Sequence, residues 1–309
     1  MINQVDVAVQ SYKKPESLIY SLLSLHRACK AHVDQVWIND DQSKGNILEI
    51  YQSEALRAAL FPWKINVREN QRRMGWWVSF VKDYKPKYLT LWNMLKRMAW
   101  NYYKNNQIYV AKDDIRYQWA LNHTNKDYLF IMHDDITFKG DVIERYMATI
   151  TQMTRPAIVG DLGQCWRCAY KQLGCNPSKI LKGYRPSVHW PFTKVSKGDH
   201  QWACRINEWS ALVSVSCTKF IKEKHRIFYG NFDNNGDTSA YWFSVAVSEG
   251  FSFDDPINNS ERNQFYVHWE NGITGHSVWV NQGLGKSSYD AALIKNKLQE
   301  DFNFTWIWG

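Results

Sequence analysis

Apolar periodicity in the first 70 residues switches between the strand and helix patterns four times. "VDVAVQSY" (Val5–Tyr12) predicts a strand. Pro15 then opens a helix through "ESLIYSLLSLHRACKAH", with Leu18, Leu22, Leu23 and Leu25 at helical spacing. "VDQVWINDDQSKG" (Val33–Gly45) predicts a second strand that runs into two aspartates, a serine and a glycine. "NILEIYQSEALRAALF" predicts a further helix, and "WKINVREN" a third strand. Strands alternating with helices pair in parallel through right-handed crossovers, which excludes most other architectures. The expected fold is α/β: a Rossmann-like, mostly parallel sheet flanked by helices, with ligands at the carboxyl ends of the strands.

The middle of the chain raises a chemical question. "KDYLFIMHDDITFK" carries a strand, Tyr128–Met132, straight into His133-Asp134-Asp135 before Ile136 turns apolar again. An unpaired buried carboxylate costs several kcal/mol, so this cluster reaches solvent, a cation or a ligand. An acidic turn is the plain explanation, and a metal site at a strand's carboxyl end is the functional one. Helical segments are expected at about 88–103 and 113–123 on the way in, and "GDVIERYMATITQM" on the way out. From about Pro156 to Asn207 the alternation gives way to a loop-rich, Cys- and Trp-containing stretch. "SALVSVS" and "AYWFSVAVSEG" then restore a strand and a helix, and the chain ends in the aromatic "FNFTWIWG". The expected organisation is a nucleotide-binding half at 1–155, a Cys-rich insertion at 156–207 and a second half with the aromatic tail at 208–309.

Composition narrows the partners. The net charge of +8 favours anionic ones: phosphorylated substrates, anionic lipid head groups or nucleic acid. The basic residues are scattered, and acidic strand ends would repel phosphates, so nucleic acid is not expected. The 16 tryptophans serve packing first, with sugar or base stacking as the second use. No apolar run reaches membrane-spanning length, and "MINQVDVAVQSYKK" has no charged segment followed by an apolar one. A cytoplasmic protein, peripheral at most to the inner membrane face, is the expectation.

Four features, Asp40-Asp41, His133-Asp134-Asp135, Asp237 and His268, fall on this pattern in an order that is similar to the family two glycosyltransferases of the GT-A fold. "VDVAVQSYKKPESLIYSLLSL" resembles that family's opening strand, loop and Leu-rich helix. "QVWINDDQSKGN" resembles its second strand with the base-holding turn, and "ENQRRMGWW" its Asn-x-Gly loop. "IRYQWALNHTNKDYLFIMHDDITF" resembles its Arg-Asn-x-Gly helix followed by the metal-binding Asp-x-Asp strand. "NNGDTSAYWFSVAVSEGFSF" resembles the helix that carries the catalytic carboxylate. The likeness covers roughly 5–277 and lies in pattern more than in literal identity.

The resemblance implies transfer of a sugar from a nucleoside diphosphate to a glycan or lipid-linked acceptor, with inversion. Expulsion of the diphosphate calls for Mn²⁺ or Mg²⁺, held by one or two carboxylates plus the phosphates. Asp135 would be the direct ligand. His133 takes the place of the family's first Asp or Asn; either it softens the site towards Mn²⁺, or only the final carboxylate touches metal. His268 would complete the shell, with His276 as the fallback; a hydrogen-bonded structural histidine is the competing reading. Asp237 would be the general base, with Asp233 as its rival, and it also suits a helix N-cap. Asp40 and Asp41 would hold base and ribose, an arrangement that suits uracil or thymine and hence a UDP or dTDP sugar. Ser11 and Tyr12 would meet the nucleoside, Arg73 and Arg116 the diphosphate, and Asp134 would complete the donor pocket. Glu208 and Trp209 would line the acceptor side.

Cys165-x2-Cys168-x6-Cys175 and the later Cys204 offer four thiolates for a structural Zn²⁺. Buried free thiols, a redox pair, or disulfides in an exported protein compete with that reading. Cys29 and Cys217 lie on apolar elements and are expected in the core. Two other functions stay open: a nucleotidyltransferase or pyrophosphorylase, which would normally show a Gly-rich signature that "VQSYKKPES" lacks, and a zinc-containing nucleic-acid-binding protein.

Overall fold

The computed structural model describes residues 4–70, 116–162, 205–230, 239–258, 260–268 and 289–308. Seven strands form one sheet: Val5–Ser11 (β1), Val33–Asp40 (β2), Lys64–Glu69 (β3), Tyr128–Met132 (β4), Pro156–Gly160 (β6), Ser210–Ser214 (β7) and Ser252–Asp254 (β8). Their order is β3-β2-β1-β4-β7-β6-β8. β1 pairs in parallel with β2 and β4, β2 with β3, and β6 with β8. β7 alone runs against its neighbours β4 and β6. The expected mostly parallel α/β sheet is therefore present. Ile136–Phe138 (β5) and Tyr266–His268 (β9) make a separate antiparallel pair.

The helices are Pro15–Cys29 (α1), Ile47–Gln52 (α2), Glu54–Ala59 (α3), Tyr117–His123 (α4), Val142–Ile150 (α5), Val215–His225 (α6), Ala240–Ser248 (α7), Arg262–Phe265 (α8) and Ala291–Phe302 (α9). They cover two apolar clusters. One gathers the α1 leucines with Val7, Val9, Ile38 and Phe130, and the other gathers Ala8, Leu129, Ile131 and Val213 with Trp242 and Phe243. Adjacent β1 and β4 residues divide between the clusters, as alternating side chains on a sheet buried on both faces must. Cys29 and Cys217 are buried and free, as expected.

Three local departures have clear causes. The helix expected across 46–61 is broken at Ser53, whose extended backbone (φ −62°, ψ 149°) lets its side chain accept from Leu56 N. A serine offers more as a cap than inside a helix. Pro156–Gly160, which the pattern places in the loop-rich stretch, is a sheet strand. Gly160 is required there, because a Cβ would fall 2.8 Å from the Ser210 carbonyl oxygen on β7. α6 was not foreseen: the alternating "SALVSVS" hides the switch at Ser214, whose side chain caps α6 by accepting from Cys217 N.

α1 does more than cover the sheet. Ser17, Ser21 and Ser24 form a stripe on its otherwise leucine-rich face and are fully buried. Ser17 Oγ donates to the Asp134 carbonyl (2.6 Å), while Ser21 Oγ and Ser24 Oγ accept from the N–H groups of Ile136 and Phe138. The segment leaving β4 is thereby fixed on the helix that follows β1 without the full support of sheet pairing.

Candidate functional site

Parallel strands carry their carboxyl ends to one edge, and that edge collects the polar residues. Ser11 ends β1, Asp40 ends β2, Asn70 follows β3 and His133 follows β4. Asp161 follows β6 and Asp255 follows β8, while the reversed β7 starts beside them after Glu208 and Trp209. Backbone hydrogen bonds knit the edge together: Asp41 N to Ser11 O, Asn70 N to Asp40 O and His133 N to Trp209 O.

Lys14 sits at the centre. Its Nζ lies 2.8 Å from Asp134 Oδ1 and 3.1 Å from Asp135 Oδ2, and the residue is only 4% exposed. Burial by itself would lower the Lys14 ammonium, but the two carboxylates overcome it and hold the pKa above the ordinary value. Burial raises the Asp134 carboxyl, and Lys14 only partly offsets this. From the far side, His133 Nδ1 stands 3.8 Å from Asp135 Oδ1, and its Nε2 stands 3.7 Å from Glu208 Oε1. Glu208 accepts from Arg205 Nη2 at 2.8 Å. Burial would lower the His133 imidazole, yet Glu208 and the aspartates raise it. Burial would raise Glu208, and Arg205 with His133 drives it well below the usual carboxylate range. Among the described residues three carboxylates thus meet two permanent cations and a histidine, so these six side chains carry one negative charge when His133 is neutral.

One carboxylate oxygen and one imidazole nitrogen form a donor pair that suits a divalent cation. Asp135 Oδ1 and His133 Nδ1 are near enough to share one ion at about 2.1 Å from each. Glu208 faces the other ring nitrogen, as an outer carboxylate does behind a ligating histidine. β9 pairing sets His268 opposite Ile136, next in sequence to Asp135. The cluster is not a ready-made nest, however. Among the described residues the group of three with mutually converging ligand atoms is His32, Asp141 and Glu144, elsewhere on the fold. There His32 pairs with Asp141, whose side chain also caps α5, so the group has a structural task.

The side expected to meet a nucleoside is built from β1, β2 and β3. Asp40 accepts from Ser43 N (2.7 Å) and from Ser43 Oγ (2.5 Å), so both of its oxygens shape the turn after β2. Ser43 Oγ in turn accepts from Lys13 N and ties that turn to the loop after β1. Asp41 Oδ1 accepts from Asn70 Nδ2, and Asn70 Oδ1 accepts from Arg68 Nη2. A cross-strand row, Gln10 to Asn39 to Arg68, holds the guanidinium in place. Ser11 shares a hydrogen bond between its hydroxyl and Tyr51 and is fully buried, so what it presents at the edge is backbone. Tyr12 follows, with the Lys13 ammonium 5.4 Å from its ring centroid. Arg116 stands at the N-terminus of α4 with φ +52°.

Burial pushes the Asp40 carboxyl up to about 6, against the opposing Ser43 hydrogen bonds. Between about pH 4 and 6 the folded chain therefore keeps a proton that the unfolded chain has lost. This group's stabilisation is present below pH 4 and lost as pH rises through 6. Asp40→Asn is expected to remove that slope. Urea unfolding should show wild type losing on the order of 2 kcal/mol relative to the variant between pH 4 and 7. A pH-independent difference would contradict the assignment.

Trp209, proposed for the acceptor side, is part-buried, packs against the core and donates Nε1–H to Asp161 Oδ2. Arg73, Asp233, Asp237, His276 and the four cysteines Cys165, Cys168, Cys175 and Cys204 lie outside the described residues, as does the helix expected at 88–103. The helix after Asp237 begins at Ala240, with Ser239 at its N-cap position. Lys14, Ser43, Arg68, Asn70 and Arg205 join the site without having been singled out in the sequence. The Lys13-Lys14 pair before Pro15 was the available signal, since a lysine at the start of a helix opposes its dipole.

No protein-family model and no curated protein matches the sequence. Similar solved structures exist. A mannosyltransferase from Pyrobaculum calidifontis, in complex with GDP-mannose and Mn²⁺, is 10% identical with a TM-score of 0.46, over 84% of this chain and 56% of that one. This chain therefore spans little more than half of that protein. Glucosyl-3-phosphoglycerate synthase from Mycobacterium tuberculosis, with Mn²⁺, UDP-glucose and phosphoglyceric acid, is 9% identical with a TM-score of 0.41, over 86% and 71%. A galactosyltransferase with donor and acceptor sugar analogues is 8% identical with a TM-score of 0.41, over 81% and 73%.

Proposed function

We propose that this chain is a metal-dependent glycosyltransferase of the GT-A type, moving a sugar from a nucleoside-diphosphate donor to a glycan or lipid-linked acceptor with inversion. The observation that carries this reading is the Lys14 contact. It joins the loop after β1, on the nucleoside side, to the carboxylate pair after β4, where a leaving diphosphate needs charge compensation. A binding role alone would not require six ionisable side chains drawn together at one strand edge.

On this reading Asp41 and Asn70 hold the base, and Tyr12 stacks beside it. Asp135 and His133 hold Mn²⁺ or Mg²⁺, which when bound neutralises charge developing on the diphosphate. Asp237 takes the proton from the acceptor hydroxyl as its oxygen bonds to the anomeric carbon and the bond to the diphosphate oxygen breaks. Lys14 supplies fixed positive charge beside the leaving group. UDP or dTDP suits Asp41 as acceptor for a pyrimidine N3–H. The basic charge suits an acceptor at an anionic membrane surface, and no helix among the described residues is long and apolar enough to cross a membrane.

The test is a panel of UDP, dTDP, CDP and GDP sugars with Mn²⁺, following nucleoside diphosphate release and the anomeric configuration by NMR. Release from one base class with inverted product supports the reading. Pyrophosphate release from a nucleoside triphosphate, with no turnover of any sugar donor, would instead indicate a nucleotidyltransferase.

A further inference from the structure

We infer that Lys14 acts as an internal counter-cation that keeps the divalent ion out of the donor-free site and makes ion binding depend on the nucleoside diphosphate. The inference rests on the donor reading above and adds a role for a residue outside the metal set.

Lys14 occupies the space between Asp134 and Asp135, with contacts of 2.8 and 3.1 Å. Side-chain exposures there are 5% for Lys14, 10% for Asp134 and 6% for Asp135, so water screens these charges poorly. With Arg205 fixed on Glu208, the six-residue cluster holds at most one net negative charge. A dication entering alone would leave it positive and would compete with Lys14 for Asp135. A diphosphate arriving with the ion restores the charge balance, and Lys14 gains a second anionic partner. Removing the ammonium reverses the order. Asp134 and Asp135 then lose the ammonium's counter-charge and attract the ion more strongly with no nucleotide present.

The same placement explains why the lysine precedes a proline-initiated helix. Pro15 at the first turn of α1 fixes the backbone, and Ser17 binds the Asp134 carbonyl, so Lys14 is held against the pair from both sides.

The experiment is calorimetric titration of Mn²⁺ into the full chain, with and without saturating UDP or GDP, for wild type, Lys14→Met and Lys14→Arg. Asp135→Asn serves to subtract ions bound elsewhere, such as at His32, Asp141 and Glu144. Wild type is expected to bind Mn²⁺ weakly alone and at least tenfold more tightly with nucleotide. Lys14→Met should bind Mn²⁺ alone at least tenfold more tightly than wild type and gain little from nucleotide. Lys14→Arg should restore the wild-type pattern, which a merely structural role would not predict. If wild type shows the nucleotide dependence and Lys14→Met binds the ion no more tightly, the inference falls and the donor reading stands. If no variant binds Mn²⁺ at the Asp135 site under any condition, both fall.

Discussion

On the proposed function, Asp135→Ala is expected to lower kcat/KM for sugar transfer by about a thousandfold, roughly 4 kcal/mol of transition-state stabilisation. Asp135 is the carboxylate through which three elements meet: Lys14 after β1 contacts Oδ2, His133 after β4 faces Oδ1, and β9 pairs just beyond it. On the proposed function, alanine removes the carboxylate that would hold the ion and leaves His133 with the substrate alone. The fold should tolerate the change, because Lys14 keeps its shorter contact to Asp134 and Ser17 still binds the Asp134 carbonyl. Steady-state kinetics and a thermal melt separate the two effects. A loss of activity with an unchanged melt is expected. Activity within threefold of wild type would remove Asp135 from the machinery.

Arg205→Met is the substitution with the largest expected cost in stability. Arg205 is 1% exposed and Glu208 6%, with Nη2 and Oε2 at 2.8 Å. Taking one partner from a buried ion pair leaves an uncompensated charge, which costs about 3–5 kcal/mol. Glu208 keeps His133 as a neighbour, so the lower part of that range is expected, read by urea unfolding. The double variant Arg205→Met/Glu208→Gln should recover more than half of the loss, because the stranded charge is gone. A cost below about 1 kcal/mol for Arg205→Met would show that water reaches Glu208 and that the pair is effectively exposed.

Much of the fold was legible because the first 70 residues alternate plainly and because β1, β2 and β4 are apolar enough to announce a sheet buried on both faces. What escaped was local. Ser53 and Ser214 end one pattern and start another through their side chains, which periodicity does not register. Pro156–Gly160 is a short edge-side strand whose pairing with β7 and β8 lies far away in sequence. The carboxylates of the site were visible as an unusual charge at a strand end, but their partners were not. Lys14 and Arg205 become informative only when the fold sets them within 3.1 Å of Asp134, Asp135 and Glu208. Likewise, the Ser17, Ser21 and Ser24 stripe reads as a flaw in an amphipathic helix until the β5 backbone is found lying along it.

The most direct test of the central claim is calorimetric titration of UDP, dTDP, CDP and GDP into the wild-type chain, each with and without Mn²⁺. One nucleotide should bind at micromolar concentrations with Mn²⁺ and at least tenfold more weakly without it. Binding of none of the four, or of all four equally with no effect of the metal, would contradict the account.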